Sequence, residues 1–275
     1  EALRVAEKSD IIVTCLGEYC KESGESHSRS DITLAALQVK LLKKLKETGK
    51  KIVLVLFAGR PLALTEVAPL ADAVLFCWHP GVEGGNAIAN LLYGKVNPNG
   101  KITMSFPRSV GQCPVYYNYF STGRPKNPDT AENYLYTTSY LDELNSPLYP
   151  FGYGLSYTKF ALRDIRLSAN EMRRGESVTV SVTLKNIGKR TGKEVVQLYI
   201  RDKFGSCARP VKELKGFQKI ALAAGEEIRV CFEISEETLA YFTASGVCNA
   251  EAGDFEIMLG TNSREVLKTA LRLDD

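Results

Sequence analysis

The hydrophobic period of this 275-residue chain changes once, near Phe160, and that change limits what it can fold into. Before it, "IIVTCLG" (Ile11–Gly17), "KIVLVLFAG" and "DAVLFCW" are continuous apolar runs, the pattern of strands covered on both faces. "KITMSF" reads as a fourth strand. "ITLAALQVKLLKKLKETG" predicts a helix burying Leu34, Leu37, Leu41, Leu42 and Leu45, with Gly49 at its C-terminal stop. "EALRVAEKSD" and "GGNAIANLLYG" are shorter helical patterns. Strand–helix–strand repetition of this kind implies a parallel, helix-covered sheet.

After Phe160 the period is two. "SVTVSVTLKN" places Val178, Val180, Val182 and Leu184 on one face, with Ser and Thr mostly on the other. "EVVQLYIRD", "EEIRVCFEI", "GDFEIMLG" and "EVLKTALRL" continue the alternation between Gly-containing turns. Short alternating strands in this number predict an antiparallel, immunoglobulin-like β-sandwich. No counterpart of the antibody inter-sheet disulfide is visible, which favours a fibronectin type III-like version. The expected organisation is an α/β part over 1–118, a Tyr-, Pro- and Gly-rich linker over 119–158, and an all-β part over 159–275. The tyrosines of the linker argue for an ordered segment that packs across both parts.

A formal net charge of +3 is too small and dispersed to suggest nucleic acid, and no apolar run reaches the roughly 18 residues of a membrane span. Seven scattered cysteines without a C-x-x-C pair, and two histidines, do not make a zinc site, and no cofactor is expected. Cys15, Cys77 and Cys231 lie in apolar runs and read as small buried hydrophobes, so disulfides are not required. The chain opens at Glu1 on a helical pattern, without an initiator Met, and reads as part of a longer polypeptide.

Open parallel sheets bind ligands outside the carboxyl ends of their strands, here "GEYCKESGESHSRSD", "AGRP" and "WHPGVEGG". In the first, Asp31 is expected to cap the helix that follows. Capping does not explain Glu25, set among small residues with little to pack against. A Ser-His-Asp triad within "SHSRSD" is rejected, because adjacent loop residues seldom reach nucleophile–base geometry and no G-x-S-x-G elbow is present. "GVEGG" matches neither phosphate-binding fingerprint. Trp78, the lone tryptophan, reads equally as a rim-packing aromatic or as a platform for the apolar face of a sugar.

"SGESHSRSDI", "VLVLFAGRPLAL", "GVEGGNAIANLLYGKVNPNGKITMSFPRSVGQCPVYYN", "LYPFGYGLSYTKF" and "RPVKELKGFQKIAL" together resemble glycoside hydrolase family 3, in particular its bacterial periplasmic β-glucosidases. The resemblance runs along essentially the whole chain. It implies part of an α/β sandwich domain followed by a fibronectin type III-like domain, without the family's N-terminal barrel. It also implies a retaining, exo-acting β-glucosidase of periplasmic or secreted location, acting on β-glucosides or oligosaccharides. The family's acid/base glutamate stands in S-G-E, with Arg four and Asp six residues later. Here those are Glu25, Arg29 and Asp31. Glu22 is the local competitor for that role but lacks the spacing. Glu22, His27 and Trp78 are expected to contact the substrate, and the family's aspartate nucleophile belongs to the absent barrel. A β-xylosidase or broad β-glycosidase, and a non-catalytic carbohydrate-binding module, are the alternatives; a pure binder would need aromatics more than a carboxylic acid. Without the remaining sandwich elements, an open sheet edge or face should favour self-association.

Overall fold

The computed structural model describes residues 1–131 and 135–275. It divides into two compact units. One comprises Glu1–Ala89, Ser105–Val115 and Asp142–Tyr149; the other comprises Asn90–Met104, Tyr116–Leu141 and Pro150–Asp275. Segments of the expected linker contribute to both.

The first unit runs α1 (Ala2–Glu7), β1 (Ile11–Gly17), α2 (Ala36–Lys46), β2 (Lys51–Phe57), β3 (Ala73–Phe76) and into α3 (Gly84–Leu92). Its sheet is parallel in the order β1-β2-β3, with Ile12 opposite Ile52 and Val53 opposite Ala73. The central strand is the core: Ile52, Leu54, Val55 and Leu56 are fully buried, and α2 adds Val39, Leu42 and Leu45.

Four expectations fail here for identifiable reasons. Strand β1 is covered on one face only. Ile12 and Thr14 are buried, whereas Ile11 and Val13 are 58% and 49% exposed and Cys15 is exposed with them. Leu37 is 81% exposed, because α2 starts only at Ala36 and its buried stripe is set by Val39, Leu42 and Leu45. Leu34 is buried ahead of the helix, beside a bridge from Thr33 to Ala63. Asp31 does not cap α2, whose N-cap is Ala35; its Oδ1 accepts instead from Thr33 N (2.9 Å) and Thr33 Oγ1 (2.7 Å), a local Asx turn. The segment "KITMSF" forms no strand of the sheet. Ile102 and Phe106 hydrogen-bond to backbone groups of the "LYPFGYG" segment, where Pro150 lacks an N–H and glycines break the ladder, leaving one bridge from Phe106 to Tyr149.

The second unit holds β4 (Phe160–Leu167), β5 (Glu171–Arg173), β6 (Ser177–Asn186), β7 (Gly192–Asp202), β8 (Glu213–Leu222), β9 (Glu227–Ser235), β10 (Tyr241–Phe242), β11 (Cys248–Asn249), β12 (Gly253–Gly260) and β13 (Val266–Asp274). One sheet has the order β5-β13-β12-β7-β8 and the other β4-β6-β9; β10 and β11 form a separate ribbon. Pairing is antiparallel except between β13 and β5. The inward residues expected on β6, Val178, Val180, Val182 and Leu184, are buried with Leu198, Ile200, Ile257 and Leu271 in one cluster. The "NPNGK" turn joins this unit: Asn97 Nδ2 donates to Thr191 O (3.0 Å), and Lys101 Nζ makes a largely buried 2.7 Å ion pair with Glu194. Cys231 breaks its expectation. It lies on β9 between inward Val230 and Phe232, so the alternation turns it outward. All seven cysteines are free thiols.

A braced carboxylate loop at the strand ends

The loop after β1 begins with a close backbone approach. Gly17 has φ +143°, and a Cβ there would fall 1.9 Å from Phe57 O, so no side chain fits. Its amide and carbonyl pair with the Gln38 side chain at 2.9 and 2.8 Å, tying the end of β1 to α2. Glu18 N then donates to Phe57 O (2.8 Å), extending the parallel ladder by one residue.

The Glu18 side chain is 2% exposed and is saturated with partners. Oε1 stands 3.1 Å from Arg29 Nη1 and 2.9 Å from Arg60 Nε, while Oε2 accepts from Gly59 N at 3.0 Å. The Arg60 Nε contact is an ion pair without hydrogen-bond alignment. Arg60 Nη2 reaches on to Glu22 O (2.5 Å) and His27 O (3.1 Å), and Arg29 Nη2 to Thr33 O (3.3 Å). A buried carboxylate is tolerated only with compensation of this kind.

Between those anchors the chain turns sharply. Gly24 and Ser26 adopt φ of +115° and +61°, on either side of Glu25. Glu22 N donates to Tyr19 O, and the Glu22 carboxylate accepts from Tyr19 N at 2.7 Å and stands 3.8 Å from Arg29. His27 Nδ1 lies 2.6 Å from Glu25 O, a bond that needs the Nδ1–H tautomer. Glu25 itself is exposed, and among the described residues no hydrogen bond or ion pair engages its carboxylate. The two hydrogen bonds from Thr33 hold Asp31 below the usual aspartate value, so it stays ionised.

The loops after β2 and β3 meet this one at Gly59. A Cβ on Gly59 would lie 2.0 Å from Ser23 Oγ and 2.8 Å from His79 Nε2, which places all three loops together at the strand ends. Trp78, beside His79, adopts φ +52°, a strained conformation for a bulky residue. Its half-buried ring packs edge-on to Phe76 (4.8 Å) and Phe106 (5.8 Å). Glu22, Glu25 and His27 thus share one loop, and Trp78 stands on another. An open cleft lined by Cys15, Glu18, Tyr19, Gln38 and Phe57 lies behind, and Glu25 does not line it.

Sequence reasoning overlooked Glu18, Arg60, Gln38 and His79. Glu18, Arg60 and His79 stood visibly at strand ends and Gln38 on a predicted helix, but the pairing of Glu18 with an arginine from another loop was not visible. Chemically, one unpartnered carboxyl group on a braced loop can give or take a proton at a bound atom. The Glu22 carboxylate is occupied, so the loop offers no second free acid. Among the described residues no cluster of three or more His, Cys, Asp or Glu could hold a metal ion. No helix among them is long and apolar enough to cross a membrane.

Residues 1–157 match the Glycosyl hydrolase family 3 C-terminal domain, and residues 194–263 a Fibronectin type III-like domain. The chain is similar to a periplasmic β-glucosidase of Salmonella typhimurium, 48% identical over 99% of this chain and 35% of the relative. It is also similar to a β-xylosidase of Formosa agariphila, 38% identical over 98% of this chain and 36% of the relative. Among solved structures, a β-glucosidase from Listeria innocua in complex with glucose superposes with a TM-score of 0.94 at 42% identity, covering 99% of this chain and 38% of that one. The chain therefore spans little more than a third of the length of the relatives it matches.

Proposed function

Since the chain belongs to glycosyl hydrolase family 3, we propose that it supplies the acid/base side of a retaining, exo-acting β-glucosidase that removes terminal β-D-glucosyl residues. The observation that carries this is the Glu25 carboxylate: exposed and unengaged, on a loop whose other glutamates, Glu18 and Glu22, are both occupied. In such a reaction one carboxylic acid protonates the leaving oxygen and later takes a proton from water, while a second carboxylate attacks the sugar. Glu25 takes the first role. The second belongs to the N-terminal barrel of the full-length polypeptide, the partner this unit needs. Glu22, His27 and Trp78 are assigned to the sugar-contacting rim. The periplasmic relative supports a periplasmic or secreted location.

In the full-length enzyme, Glu25→Gln should lower kcat/KM for disaccharides by about 10²–10⁴-fold and largely spare kcat/KM for activated aryl glucosides, whose leaving groups need no proton. The kcat falls on both, because hydrolysis of the glycosyl-enzyme loses its base. Azide should restore turnover and yield a β-glycosyl azide. Equal loss of kcat/KM on both substrate types removes Glu25 from the role. Because one relative is named a β-xylosidase, paired assays on p-nitrophenyl glucoside and xyloside decide the sugar.

A further inference from the structure

Building on that acid/base reading, we propose that Glu18 is the positioning residue for Glu25, acting through Arg29 and Arg60. Glu18 never faces the sugar: its side chain is buried and its oxygens are spent on Gly59 N and the two guanidinium groups. What it controls is the frame around Glu25. Arg60 Nη2 grips the carbonyls of Glu22 and His27, which bracket the stretch 23–26, and Arg29 grips Thr33 O beyond it. The tip between these points is a short left-handed turn, so fixing its two ends fixes where the Glu25 carboxyl can reach. Glu18 also keeps two arginines together that would otherwise repel. A group displaced by about 1 Å can lose roughly 10²-fold in rate, which makes such a frame worth a buried charge. The negative charge of Glu18 is the working element. Gln at this position keeps the size and one acceptor but cannot hold two cations.

The test uses the full-length enzyme and a series of aryl glucosides graded in leaving-group ability. Glu18→Gln should steepen the dependence of kcat/KM on the leaving group, with roughly 10²-fold loss on the poorest and little on the best. Glu18→Asp should recover part of the loss. Arg60→Lys, which retains charge but cannot span both carbonyls and Glu18, should reproduce the steepening, and it carries the test if Glu18→Gln does not fold. A uniform loss across the series, or none, in the folded variants overturns the proposal and leaves Glu18 as a purely structural residue. Glu25→Ala is run alongside. If it lacks the leaving-group signature and azide rescue, the acid/base reading itself has failed. If it shows them while Glu18→Gln and Arg60→Lys keep the wild-type dependence, only the positioning role has.

Discussion

In the β-sandwich, Val180, Val182 and Leu184 face Leu198, Ile257 and Leu259 across two sheets, and all are buried. In the parallel sheet, Ile12 and Thr14 are buried under one face while Ile11, Val13 and Cys15 stand open on the other. The two units thus differ in self-sufficiency. The sandwich buries its inward apolar residues between its own two sheets, whereas the α/β unit leaves one apolar face of β1 open. The residues proposed for the chemistry lie on the α/β unit. Its loops carry every residue assigned to the site; the Glu25 loop is braced by buried ion pairs and backbone contacts, whereas Trp78 packs on Phe76 and Phe106.

The sharpest way to break this comparison is to truncate one apolar side chain in each unit. Leu198→Ala removes a fully enclosed group and should cost about 2–5 kcal/mol in urea unfolding. Val13→Ala, on the open face, should cost less than about 1 kcal/mol. Comparable costs would mean that the open face is covered in solution and that the units do not differ as described.

A smaller effect concerns association. Contiguous exposed apolar surface promotes contact between copies. Val13→Lys should lower the apparent mass of this chain in concentration-dependent light scattering, with unfolding almost unchanged. Phe217→Lys on the sandwich, also at an exposed apolar residue, should shift it less. The reverse order would place the sticky surface on the wrong unit.

The smallest expected effect is a pH dependence within the sandwich. Burial holds Asp202 above the ordinary aspartate value of 3.8, against the Phe204 amide and Arg209, and Oδ2 has no partner. With a folded value above the unfolded one, its contribution favours the fold below the unfolded value and is lost as pH rises through the folded value. Asp202→Asn should therefore gain Tm relative to the parent as pH rises from about 3.8 toward neutrality. A gap that shrinks over that range contradicts the assignment.

How legible these features were depended on the interaction that decides them. The β6 pattern could be read because alternation encodes which face is buried. The β1 run could not, since continuous apolarity does not say whether anything lies on the second face. Leu37 looked inward only because the helix was counted from Leu34, two residues before its first turn. Cys231 followed the alternation of its neighbours, which a reading of the run as merely apolar had ignored. Glu25 stood out as a loop carboxylate with little to pack against, and its proposed role came from the resemblance of Ser23–Asp31 to the family's motif. Glu18 was missed because its meaning depends on Arg60, from the loop after another strand. Local pattern carries secondary structure well, but charge pairing between loops appears only once the sheet has brought its strand ends together.

The central claim is that these residues hold one half of a two-carboxylate site. Retention requires two carboxyl groups roughly 5–5.5 Å apart across a sugar ring. The nearest carboxylates on the Glu25 loop, Glu18 and Glu22, are already engaged. The direct measurement is p-nitrophenyl β-glucoside hydrolysis by this chain purified alone, beside its Glu25→Ala variant. The account predicts no turnover above buffer for either protein. Turnover that survives purification and disappears in Glu25→Ala would contradict it, because the nucleophile would then lie within these 275 residues.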